Sequence, residues 1–195
     1  MAFLSQRASK IAQPTAGGSY LNPSRVPSGG SVRFRITSKE ALDFYECWGT
    51  NNEGKVRPYR FCEEPLEEDI LAEMGNEFTR RENREGTGYE APKQAIAFQC
   101  YNFETDEINI AQFSQKSLIA ALDRYTQMDD YASLDEWDFI LGKTGSGLTT
   151  EYQLTPAPTK KDRVKDVAAA VQAADKQGFD INRLLTGENP FAAKG

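Results

Sequence analysis

At 195 residues the chain can fill one hydrophobic core and carry appendages, whereas two full domains would be cramped. Hydrophobic residues make up 39% and charged residues 27%, which fits a globular protein and excludes collagen-like or wholly disordered classes. The net charge is -6 and there is no histidine, which removes Ser-His-Asp and Cys-His nucleophile systems, most catalytic zinc sites and the commonest general base.

Residues 1 to 30 are rich in Ser, Gly, Pro and Ala, and their charged residues, Arg7, Lys10 and Arg25, are all basic. Such a segment buries too little apolar surface to order itself, so it reads as a flexible basic arm, with room for one helical turn near Leu4 to Gln13. The acid-free stretch continues through Arg33, Arg35 and Lys39, so the negative charge gathers downstream, as at Glu63, Glu64, Glu67, Glu68 and Asp69. A groove binds polyphosphate through its local field, so the total charge neither supports nor opposes that chemistry.

From Ser31 the pattern has a period of two, with Val32, Phe34 and Ile36 alternating with Arg33 and Arg35, which predicts a strand. Leu42 to Trp48 and Lys55 to Phe61, separated by the turn residues Asn51 to Gly54, predict a hairpin carrying Trp48, Arg57, Tyr59 and Arg60. Pro65 opens a short helix over Leu66 to Met74 that Gly75 ends, and residues 76 to 92 read as a mobile excursion. Lys93 to Phe103 and Ile108 to Phe113 form a second, central hairpin. In it Ile96, Phe98 and Cys100 suit the core, leaving Gln99, Tyr101 and Phe103 on the other face. Ser114 is placed as the N-cap of a helix to Met128 with Leu118, Ile119, Leu122 and Tyr125 on its apolar stripe.

Trp137, Phe139 and Leu141 begin a third hairpin, which turns within Gly142 to Gly147, returns over Thr150 to Leu154 and stops at Pro156 and Pro158. Val164, Val167, Ala168, Val171 and Ala174 then mark a helix closed by Gly178, with a short helix over Ile181 to Leu185 after it. The expected fold is mainly β with flanking helices, an OB-fold-like Greek-key barrel of five or more strands. It spans residues 31–158, between the arm at 1–30 and a C-terminal helical extension at 159–195.

Cys47, Cys62 and Cys100 are an odd number without CxxC spacing, so neither a disulfide framework nor a metal site is expected. Gly142-Lys143-Thr144 lacks the upstream glycine of a phosphate loop and precedes a strand, so it reads as a hairpin turn with a basic tip. The informative pattern is the interleaving of aromatic and basic residues on strands. Bases stack on aromatic rings with gains of about 1 to 3 kcal/mol each while Arg and Lys track phosphates. The candidate contacts are Arg33, Arg35, Trp48, Arg57, Tyr59, Arg60, Lys93, Tyr101, Phe103, Lys143 and Tyr152, against the competing expectation that many strand aromatics are simply core.

Three stretches carry a resemblance: Trp48, Asn51, Gly54 and Val56 to Pro58; Ala97 to Asn102; and, most distinctively, Trp137 to Pro156 with its Gly-Lys-Thr-Gly-Ser-Gly turn. Together they resemble the single-stranded-DNA-binding proteins of tailed bacteriophages. The resemblance covers roughly residues 30 to 158. It implies an OB-fold that coats and protects single-stranded DNA in replication, recombination or repair, without catalysis or a cofactor. It further implies self-association along the strand through a basic arm (here Arg7 and Lys10) and contacts with replication or recombination proteins, while the short apolar runs and the lack of a secretory pattern lead us to expect a cytoplasmic, membrane-free location, in the host cell if the chain is phage-encoded. The competing reading is a structural or adaptor protein of a phage-like particle acting through protein contacts.

Overall fold

The computed structural model describes residues 20–131 and 133–192, and Arg7 and Lys10 lie outside them. Among the described residues the protein is mainly β, with nine strands in one mixed sheet that does not close on itself. The strands are β1 (Tyr20–Leu21), β2 (Ser31–Ile36), β3 (Leu42–Asn51), β4 (Val56–Phe61), β5 (Phe78–Arg80), β6 (Lys93–Asn102), β7 (Glu107–Phe113), β8 (Asp138–Thr144) and β9 (Glu151–Ala157). The α-helices are α1 (Glu67–Met74), α2 (Lys116–Thr126), α3 (Val164–Gln177) and α4 (Arg183–Thr186). No helix among the described residues is long and apolar enough to cross a membrane.

The sheet runs in the order β1-β7-β6-β2-β8-β9, all antiparallel except the β1 to β7 pair. One edge of β6 is shared by two strands. Phe34 and Ile36 of β2 face Asn102 and Cys100, and further along Leu42 to Glu46 of β3 face Ala97 to Lys93. Between Ile36 and Leu42 the chain takes six steps where β6 takes three, so residues 37–41 swing outward. Beyond β6, β3 pairs with β4 on one edge and β5 on the other, and α1 packs over that ribbon through Ile70 and Met74 against Cys47 and Tyr59.

Alternation gives the sheet two chemically distinct faces. The inner face holds Phe34, Ile36, Phe98, Cys100, Ala111, Phe113, Phe139, Leu141 and Leu154, closed by Leu118, Ala121 and Leu122 of α2. The outer face holds Phe44, Ala95, Ala97 and Ile110 under Leu184 of α4, then Tyr101 and Ile108 under Val167 and Ala174 of α3.

Several expectations need correction. The arm does not extend to residue 30, because Leu21 and Val26 are core residues and Gly29 N–H and Gly30 C=O both bond to the backbone of Lys143. Residues 76–92 are not simply a mobile excursion. β5 lies within them, and buried Arg80 ties α1 to the following loop by pairing with the Glu67 carboxylate, the Glu90 carbonyl and the ring of Tyr89. Gln115, not Ser114, caps α2, and it does so without a side-chain bond. Pro156 does not stop β9, since it pairs with Phe139 on an edge strand, where a missing N–H is tolerated.

The turn after β8 makes one local demand. Gly145 has φ +70°, and a Cβ there would lie 2.0 Å from the Thr149 carbonyl oxygen. Gly145→Ala is expected to cost more than about 1 kcal/mol, read as a lower urea midpoint, because strain and backbone clash act together.

Candidate nucleic-acid interface

The eleven expected contact residues fall into separate groups. Three of them are packed inside. Tyr101 is 2% exposed and Tyr59 6%, the first under α3 and the second under α1, so neither ring can receive a base. Desolvation raises the pKa of both phenols. Arg35, 6% exposed, is also buried. Lys93 is exposed, paired with Glu90, and stands across the β3–β6 ladder from Glu46. Lys143 and Tyr152 are cross-strand partners at the β8–β9 turn, where the Lys143 ammonium donates to the Ser24 carbonyl at 2.7 Å and Tyr152 packs against the inner core.

Two groups carry organised chemistry, at opposite ends of the outer face with α3 and α4 between them. The first is built on Phe103, half-buried at the end of β6. Four cationic groups lie 5.1 to 5.8 Å from its ring centroid: Lys160 Nζ and the guanidinium carbons of Arg35, Arg33 and Arg163. Asp138, fully buried, organises them. Its carboxylate accepts from Arg33 Nε at 2.9 Å, from Arg35 Nε at 2.7 Å and from the backbone N–H of Lys160 at 3.2 Å. A carboxylate with three donors, two of them charged, is a firm anchor in a low-dielectric site.

Arg163 is held from the other side by Asp106 and Asp166, at 2.6 Å each, and its hydrogen bonds to these carboxylates raise its pKa. Arg35 Nη2 is buried with no partner among the described residues. Lys160 has no acidic partner within ion-pair distance among the described residues, which leaves its charge available. Lys160 and Arg163 were missed in the sequence, although the basic run Lys160-Lys161 immediately after the last strand was a signal for them.

The second group centres on Trp48. Its indole N–H donates to Glu46 Oε1 at 3.0 Å, while Glu46 Oε2 accepts from Arg60 Nε at 3.1 Å and Gln112 Nε2 at 2.8 Å. Arg60 also reaches the Leu184 carbonyl and Gln112 Oε1. This network holds the indole at the wall of a cavity of about 330 Å³ shared with Tyr20, Arg25 and Arg60. Exposed Arg57, paired with Gly49, belongs to the opposite face of the β3–β4 ribbon, its guanidinium 4.9 Å from the ring of Tyr59. Of the expected contacts, this end therefore brings together Trp48 and Arg60 but not Arg57.

No group of three or more Cys, Asp or Glu side chains among the described residues is arranged to hold a metal ion. The thiols differ sharply in exposure: Cys62 is exposed, whereas Cys47 and Cys100 are buried and burial raises both their pKa values. A disulfide-exchange reagent at pH 8 is expected to label Cys62 rapidly and the other two only on unfolding, as mass mapping would read. Compared with protein families, curated proteins and solved structures, the chain matches none.

Proposed function

We propose that the protein binds single-stranded DNA with little sequence preference and coats it, as a non-catalytic partner of replication, recombination or repair. The observation that carries this reading is the half-buried ring of Phe103 with the partly exposed cations Arg33, Lys160 and Arg163 within 5.1 to 5.8 Å of its centroid, while buried Arg35, paired with Asp138, braces the cluster. An aromatic platform for a base beside cations for the adjoining phosphates is the combination that sequence-tolerant single-strand binding requires. Trp48 with Arg60 and Arg25 around one cavity repeats it at the other end of the same face.

The connectivity supports an OB-type reading of the fold. β2 and β3 act as one long bent first strand, followed by β6, β7, the helix α2, β8 and β9, and α2 plugs the inner core before the last hairpin, an arrangement of that class. β1 beside β7 stands where closure between β9 and β7 would complete a barrel.

Tryptophan emission tests the reading. The chain has two tryptophans, and Trp137 packs against Tyr131 and the inner core. Titration with oligo-dT at low salt is expected to quench emission. Trp137→Phe is expected to keep most of the quenching and Trp48→Phe to lose it. No quenching and no mobility shift at low salt would overturn the proposal.

A further inference from the structure

A cavity of about 700 Å³ opens on the side of the sheet away from the cation clusters. Its floor is apolar, formed by Ile36, Ile96 and Phe98 of the inner face with Ile119 and Leu122 of α2. Its rim is acidic: Glu40, Asp43, Asp123 and Asp135 stand against the single cation Lys39. Residues 37–41, the outward swing between β2 and β3, form one wall, and the Ser38 hydroxyl on that wall is buried with no partner among the described residues. Phosphates are repelled by such a rim, so the groove is no part of a nucleic-acid path. An apolar floor under four carboxylates calls instead for a cationic, partly apolar segment carrying spare backbone acceptors, one of which would satisfy Ser38.

We propose that this groove seats the chain's own segment 1–19. That segment has the complementary chemistry, with Arg7, Lys10 and no acid, and with Phe3, Leu4 and Ile11 as its large apolar residues. Eight residues lie between Ile11 and Tyr20, where β1 joins the sheet, a tether of nine Cα steps that extends up to about 30 Å. The tether sets a millimolar-range effective concentration, so docking within one chain prevails over docking between chains in dilute solution. The inference goes beyond the DNA-binding reading and does not rest on it.

Site-specific photo-cross-linking of the full chain tests it. With a benzophenone amino acid in place of Ile11, irradiation is expected to give an adduct of monomer size that maps to residues 36–43 or 119–135. Arg7→Glu with Lys10→Glu is expected to reduce the adduct at least fivefold, and adding Asp123→Lys with Asp135→Lys to restore it. Restoration by the double reversal requires the pairing itself, and circular dichroism of each variant verifies that it is folded. If the fourfold variant does not fold, the Arg7 and Lys10 reversal alone decides. Adducts of dimer size, adducts elsewhere on the chain, or yields indifferent to the reversals overturn the proposal.

Discussion

Asp138→Asn is expected to lower the unfolding free energy by about 3 to 5 kcal/mol, the cost of leaving a buried guanidinium without its counter-ion. The carboxylate is fully buried and paired to two arginines, one of them with a side chain only 7% exposed. The amide keeps the shape of the carboxylate but can face both arginines with a single neutral acceptor. Urea unfolding at neutral pH measures the loss as a drop in midpoint at constant slope. The double variant Arg35→Met with Asp138→Leu is expected to lose less than Asp138→Asn alone, since it removes the deeply buried guanidinium together with its counter-ion and leaves only the quarter-exposed Arg33 without the carboxylate. A midpoint for Asp138→Asn within about 0.5 kcal/mol of the parent would show that Asp138 does not organise this face.

Phe103→Ala is expected to weaken binding to oligo-dT by about 1 to 3 kcal/mol, five- to 150-fold, because one stacking platform is lost. Lys160→Ala is expected to weaken binding more evenly across sequences and to flatten the salt dependence by about one phosphate contact. Lys160 lacks an acidic partner among the described residues, so its removal should leave the unfolding midpoint almost unchanged. That separates it from Arg33, whose removal would also unbalance Asp138. Fluorescence anisotropy of a labelled oligonucleotide reads both variants. Equal affinities for parent, Phe103→Ala and Lys160→Ala would move the interface elsewhere.

Local alternation made most strands legible in the sequence. Phe34 and Ile36 face inward with Arg33 and Arg35 outward, and Ile96, Phe98 and Cys100 all line the inner face as their parity suggests. The helix α2 was legible for the same reason, its Leu118 and Leu122 lying one turn apart and both buried. The fate of the outer face was not legible. Gln99 and Tyr101 have the parity of solvent-facing residues, yet both are buried: α3 covers Tyr101 through Val167 and Ala174. A small apolar helical stripe states that it will pack but not against what, because its partner is more than 60 residues away in the chain. The same blindness hid the Phe103 cluster, which forms only when the chain after β9 returns to β2 and β6 and Asp138 fixes Lys160 beside the ring.

The order of residues 20–30 was misjudged from composition alone. Gly, Ser and Pro dominate that stretch, but two apolar side chains, Leu21 and Val26, suffice to bring it into the core once β7 offers an edge. The cavity at Trp48 was half visible. Trp48 and Arg60 were recognisable as a hairpin pair, but Glu46 and Gln112, which orient them, come from alternate positions on two different strands.

The central claim is single-strand binding by a cationic, aromatic face, and the affinity of the full chain for labelled oligo-dT across a salt series tests it most directly. The account predicts tight binding at low salt and a linear fall of log K with log salt, at about 0.7 per phosphate neutralised, with a duplex of equal length bound more weakly. No binding at low salt, or an affinity indifferent to salt, would contradict it.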